Sequence, residues 1–148
     1  MDRPPVPDSE RAAAHVTSAS RLLYLLAILK VFGFLGAARL MAGGAAGTGL
    51  PAGVDPRNAA MMLMLWYFAG GVLCIVLARG LSRRQIWARN IGLAYAGFHV
   101  AGLIFVMRAG VPAVINGVLG LMLLVTLLLA SGLGAFEKDI SEPGAAPS

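Results

Sequence analysis

The sequence predicts an all-α protein, a bundle of four transmembrane helices, and three observations lead to this prediction. Of the 148 residues, 58% are hydrophobic and 13% are charged, and the mean hydropathy of +0.78 lies outside the range usual for soluble proteins. The apolar residues form four blocks, each long enough to cross a hydrocarbon core of about 30 Å. All seven acidic residues lie outside these blocks. We therefore expect a multi-pass membrane protein.

The four predicted spans divide the chain into a head, one transmembrane domain and a tail. They cover residues 22–42, 59–78, 90–107 and 111–136, within a domain of residues 21–136. A cleaved signal peptide is the alternative for the first span, because small residues follow it. The long head of mixed charge and the lysine inside the span favour an uncleaved helix. We expect residues 1–20 and 137–148 to be disordered and cytoplasmic.

The basic residues predict the orientation of the spans. With a cytoplasmic N-terminus, the inside segments hold Arg3, Arg11, Arg21, Arg79, Arg83, Arg84, Arg89 and Lys138, and the outside segments hold Arg39, Arg57 and Arg108. This excess favours both termini in the cytoplasm. It also accounts for the net charge of +5, so nucleic acid is not an expected partner. The expected partner is the lipid bilayer, at the inner membrane of a bacterial cell.

The connection between the second and third spans, "RGLSRRQIWARN", carries the expected interfacial anchors. These are Arg79, Arg83, Arg84, Trp87 and Arg89. Arginines contact lipid phosphates, and an indole ring lies well in the headgroup layer. An arginine-rich turn running into W-A-R resembles the pattern of many small, uncharacterised four-helix membrane proteins of bacteria. The resemblance covers Arg79 to Asn90 and implies a bacterial inner-membrane setting, without implying an activity.

The sequence contains few residues that could together form a catalytic or metal-binding site. It therefore predicts no enzyme, no cofactor and no metal site. The single cysteine, Cys74, excludes an internal disulfide, and its expected role is that of a small buried apolar residue. The two histidines, His15 and His99, are too far apart in the chain to indicate a zinc or haem site. Motifs for phosphate loops and nucleophile elbows are absent from the sequence.

Lys30, His99 and Asn116 form the candidate intramembrane polar site. Lys30 lies nine residues from both Arg21 and Arg39, so it is expected near the bilayer centre. A charged lysine there costs roughly 2.5 to 3.5 kcal/mol. It is therefore either a tolerated passenger, an uncharged amine, or part of a partly wet interior. His99 is expected to donate a hydrogen bond to a helix carbonyl or to Asn116.

Two segments of the sequence suggest an internal duplication. "KVFGFLGAAR" from Lys30 and "HVAGLIFVMR" from His99 match at several positions with a constant offset of 69 residues. Two copies of one helical hairpin would be related by an axis along the membrane normal, because odd spans cross in the same direction. Lys30 and His99 would then lie at equivalent depths.

The composition favours an accessory, structural or interaction subunit over other roles. Small residues recur at four-residue spacing along the helices and permit close helix packing, both inside the bundle and against a homo-oligomer or a larger membrane protein. The alternative is a small transporter or channel component that uses Lys30, with His99, to bind an anionic or polar solute. A membrane enzyme and a lipid- or quinone-binding protein are further alternatives.

Overall fold

The computed structural model describes residues 7–42, 55–106 and 111–136, and this part of the protein is all-α. It contains four helices, α1 (Asp8–Met41), α2 (Pro56–Ser82), α3 (Ile86–Val106) and α4 (Val111–Gly132), and no strand. Three helical segments are long and apolar enough to cross a membrane, namely α1, α2 and Val114–Gly132 of α4. The predicted all-α class is confirmed for the described residues.

Helix α1 begins earlier than the sequence analysis predicts. Residues 8–20 were expected to belong to a disordered head, whereas the structure places them in α1. Asp8 and Glu10 lie in the first turn, where negative charge favours a helix N-terminus. Ala12, Val16 and Ala19 then recur at helical spacing and are buried. Because these small side chains are buried along one helix face, α1 extends through residues that were expected to be disordered.

Parts of several predicted segments lie outside the described residues. These are residues 1–6 of the head, the connections at 43–54 and 107–110, and the tail from residue 137. Where the structure does describe a connection, between α2 and α3, it is a turn of three residues, Arg83 to Gln85. Arg84 adopts a left-handed backbone conformation there, with φ of 52°. This tight turn makes α2 and α3 antiparallel neighbours.

The four helices pack as a ring in which each helix contacts two others. Helix α1 packs most extensively on α2, and α3 packs on α4; α1 also contacts α4. The contact between α2 and α3 is the least extensive of the four. Two well-packed pairs are what a duplicated hairpin would produce, but the duplication stays a prediction.

The tight core lies toward one end of the helix ring, the end formed by the α2–α3 turn. Its largest fully buried side chains are Leu23, Leu26, Leu77, Leu81, Leu123, Leu127 and Cys74. A polar link joins α1 to α2 at the same end, where the Ser20 hydroxyl donates to the Ala78 carbonyl over 3.3 Å. The hydroxyl of Ser82 donates to Ser20 over 3.3 Å. Lys30 and His99 lie next to this core, on α1 and α3.

Candidate ligand pocket

Lys30 is a buried residue whose aliphatic stem packs on two glycines of α2. Its exposed fraction is 5%. A Cβ atom built on Gly70 would lie 3.4 Å from Lys30 Cε, and one on Gly71 would lie 3.5 Å from Lys30 Cβ. Because glycine has no side chain, α2 leaves room along its surface for the length of the lysine. The fold therefore accommodates Lys30 inside the helix ring.

The amino group of Lys30 contacts an aromatic face. Its Nζ atom lies 5.7 Å from the centroid of the Tyr67 ring, within the range of a cation–π interaction. Among the described residues, no hydrogen bond or ion pair involves Lys30. The N–H groups are consequently available to an acceptor that enters the adjoining space.

His99 is a second buried polar residue of the candidate site, on α3. Its exposed fraction is 9%, and in the described part of the chain neither Nδ1 nor Nε2 has a partner. The predicted bond from His99 to a carbonyl or to Asn116 is therefore wrong for these residues. Close packing explains the position of the ring, because α4 approaches α3 so closely that a Cβ on Gly120 would lie 2.5 Å from His99 Cβ. The Tyr95 ring, at 4.4 Å between centroids, covers another side of the imidazole.

Lys30 and His99 line one pocket of about 250 Å³, which we call the central pocket. Helices α1, α2 and α3 form its walls. The lining residues are Lys30, Trp66, Ala69, Gly70, Leu73, Tyr95, Phe98 and His99. The structure thus brings together two of the three residues of the predicted polar site, from two helices that are not neighbours in the ring.

Asn116, the third predicted site residue, lies elsewhere. It lines a separate groove of about 500 Å³ between α1, α2 and α4. Tyr67 also lines that groove, and its ring covers Gly33, where a Cβ would lie 2.5 Å from Tyr67 Cε1. Asn116 is therefore not among the residues that line the central pocket.

The aromatic lining of the central pocket was missed by the sequence analysis. Trp66, Tyr95 and Phe98 lie within predicted spans, but the sequence analysis assigned no role to them. A usable signal was present for Tyr95, which precedes His99 by four residues and so shares its helix face. The Cys74 thiol donates to Tyr95 Oη over 3.2 Å and joins α2 to α3 beside the pocket. Cys74 is fully buried, in agreement with its expected packing role.

Lys30 also lines a second, larger groove on another side of α1. This groove, of about 430 Å³, lies between α1 and α2, and Tyr24, Tyr67 and Phe68 contribute to its surface. Its lining is apolar apart from Lys30 and the tyrosine hydroxyls. Lys30 therefore borders two spaces, and only the central pocket contains His99.

The predicted interfacial anchors lie at the α2–α3 turn. Arg79, Arg83, Arg84 and Trp87 are exposed, as an interfacial role requires, and Arg89 is partly buried. The indole N–H of Trp87 donates to Gln85 Oε1 over 2.7 Å. Arg89 bonds to Asn90 Oδ1 through Nε and Nη2, and its Cζ lies 5.8 Å from the Phe136 ring centroid. Arg89 thus also has a packing role that the sequence analysis did not predict.

Comparison of the chain with family models, with curated proteins and with solved structures finds no match. The functional interpretation therefore rests on the residues of the central pocket.

Proposed function

We propose that the protein is a non-enzymatic, multi-pass integral membrane protein that binds a small polar or anionic solute between Lys30 and His99. Such binding is the chemistry expected of a small transporter or channel component. The observation that carries the proposal is the shared pocket: two buried polar side chains, Lys30 and His99, line the same space of about 250 Å³, and the ring nitrogens of His99 have no hydrogen-bond partner among the described residues. The accessory or structural role favoured by composition becomes the alternative.

The energetics of burial support a binding role. A buried polar group without a partner costs about 1 to 3 kcal/mol, and His99 carries two such nitrogens. Lys30 adds the roughly 2.5 to 3.5 kcal/mol of placing lysine near the middle of a membrane span. A purely structural bundle would gain stability by replacing both residues with apolar ones. A ligand that accepts hydrogen bonds from them would offset the cost in the bound state.

The proposed setting is the inner membrane of a bacterial cell, with four spans and both termini in the cytoplasm. The apolar length of three helical segments is compatible with membrane insertion. The antiparallel α2–α3 turn, with its exposed arginines, suits the cytoplasmic surface. The resemblance of the sequence around this turn to small four-helix bacterial membrane proteins is consistent with the same membrane location.

We expect truncated reporter fusions to alternate between the two sides of the membrane. Fusions after Arg84 and after Ser148 should report the cytoplasm, and fusions after Thr48 and after Gly110 should report the outside, because the arginines favour cytoplasmic segments. A pair of reporters, one active in each compartment, measures this. An external signal from the fusion after Ser148 would contradict the four-span topology.

The proposed function predicts that Lys30→Leu stabilises the protein while removing its function. Lys30→Leu removes an insertion penalty of roughly 2 to 3 kcal/mol and should therefore raise the stability of the protein. Unfolding in detergent measures the first effect, and complementation of a deletion strain measures the second. His99→Leu should reproduce the loss of function, because both side chains face the same solute. Phe32→Leu is the matched control, since Phe32 lies on the same helix and is 65% exposed.

The opposite result has a clear meaning. Full complementation by Lys30→Leu, with the gain in stability, would show that the lysine is a tolerated passenger. The protein would then be an accessory or structural bundle, in which the central pocket has no role.

A further inference from the structure

Aromatic side chains form much of the wall of the central pocket. Trp66, Tyr95 and Phe98 line it together with His99. The Trp66 and Phe98 centroids are 5.9 Å apart with an interplanar angle of 52°, and those of Phe98 and His99 are 6.0 Å apart. Aromatic side chains prefer offset or edge-to-face contacts with another ring at such separations. A planar ring is the shape that would contact several of these walls at once.

The size of the pocket fits one substituted ring. A cavity of about 150 Å³ is enough to bind benzene in an engineered protein core. The central pocket has a volume of about 250 Å³, which leaves room for polar substituents on such a ring.

The two polar side chains line the pocket from different walls. Lys30 extends from α1 and His99 from α3, two helices that are not neighbours in the ring. Both residues are more than nine-tenths buried, and the ring nitrogens of His99 have no partner among the described residues. Lysine offers only donors, and neutral imidazole offers one donor and one acceptor. A ligand with acceptor oxygens at two separate positions on a ring would satisfy donors on both walls.

The opening of the pocket indicates how such a ligand arrives. Trp66 of α2 and Phe98 of α3 are 54% and 58% exposed, so they stand on its rim at the outer surface of the helices. This rim lies along the α2–α3 contact, the least extensive in the ring of helices. In a membrane-spanning protein, that surface faces hydrocarbon. Of the polar and anionic solutes that the proposed function allows, the route therefore favours an uncharged polar molecule that dissolves in the bilayer.

We propose that the central pocket binds a lipid-soluble, planar ring carrying acceptor oxygens, the chemistry of a quinone, which enters between α2 and α3. The proposal rests on the proposed function, because it names the ligand class of the same site. The ring packs among the aromatic walls, and Lys30 and His99 donate hydrogen bonds to its oxygens. Binding alone is proposed, without electron transfer.

The two tryptophans of the chain provide a direct test, because Trp66 lines the pocket and Trp87 lies at the α2–α3 turn. A Trp87→Phe variant in lipid nanodiscs retains only the emission of Trp66, and a Trp66→Phe variant retains only that of Trp87. The probe is a decyl-substituted benzoquinone, which quenches tryptophan emission. We expect saturable quenching of Trp66 and only weak, linear quenching of Trp87 by quinone dissolved in the bilayer.

Variants of Lys30 and His99 show whether the quenching of Trp66 results from binding in the central pocket. In the Trp87→Phe background, Lys30→Leu should weaken the apparent affinity about tenfold or more, because a hydrogen bond to a buried charged or strongly polar group is lost. Phe32→Leu should leave the affinity unchanged. Thermal unfolding of each variant shows that it is folded. Saturable quenching that Lys30→Leu and His99→Leu leave unchanged would overturn the proposal, since the quinone would then bind elsewhere.

Two further probes separate the failure of this proposal from the failure of the proposed function. Decylbenzene, a ring without oxygens, should produce no saturable change of Trp66 emission. If decylbenzoate changes that emission saturably and the quinone does not, the site binds an anionic solute, and only the quinone assignment is overturned. Linear quenching of both tryptophans, with no response to decylbenzoate and with full complementation by Lys30→Leu, would overturn both.

Discussion

Gly120→Ala is expected to lower the free energy of unfolding by about 1 to 3 kcal/mol, the usual cost of inserting a methyl group into a packed interface. The added Cβ would lie 2.5 Å from His99 Cβ and 3.4 Å from the carbonyl oxygen of Ala96. Both atoms belong to or adjoin the α3 backbone, so no side-chain rotation can relieve the contact. The helices must separate, and the support of His99 against α4 is lost.

The matched control for this prediction is Gly97→Ala on α3. A Cβ on Gly97 would have no atom within 4 Å. Alanine is a better helix former than glycine by about 1 kcal/mol, so this variant should be as stable as the parent protein or more stable. Unfolding of both variants in the same detergent measures the difference. Equal shifts would show that α3 and α4 do not approach closely at Gly120.

The helices were predictable because each one is a long apolar stretch bounded by charged or turn-forming residues. The α2 start is a good example: Asp55 Oδ1 accepts the backbone N–H of Arg57 over 3.0 Å, and Pro56 occupies the first helical position. The start of α1 was missed because hydropathy detects the apolar span and does not detect a polar helical extension. Residues such as Ala12 and Ala19 are small, and their burial depends on neighbours that only the tertiary structure supplies.

Two of the three residues predicted for the polar site line the central pocket, and chemistry alone was enough to identify them. Lys30 and His99 were identified because polar residues are costly in a membrane span, and the structure places them in one pocket. The position of Asn116 outside the central pocket could not be predicted. It depends on the rotation of α4 about its own axis relative to α1, and a sequence without known contacts does not give that rotation. The role of Gly70 and Gly71 in accommodating the lysine depends on the same relative rotations, here between α1 and α2.

The position of the pocket in the fold suits a binding role. Large leucines fill the end of the ring near the α2–α3 turn, and the central pocket begins where this core ends. For the proposed binding role, the packed core would position Lys30 and His99, and the limited α2–α3 contact would leave an entrance. The Cys74–Tyr95 hydrogen bond joins these two helices on the core side of Trp66, so movement of the entrance would leave the turn intact.

Replacing Arg83, Arg84 and Arg89 together with glutamate is expected to scramble the topology or to lower membrane insertion strongly. The three arginines belong to the densest basic cluster of the chain, and the two at the turn are exposed, as contact with anionic headgroups would require. The reporter fusions described above measure the effect.

Lysine at the same three positions is the matched control: it retains the charge but loses the Arg89 hydrogen bonds to Asn90. If positive charge determines the orientation, the lysine variant should keep the parental topology while the glutamate variant populates the inverted one. Parental topology in the glutamate variant would show that other residues determine how α2 and α3 insert.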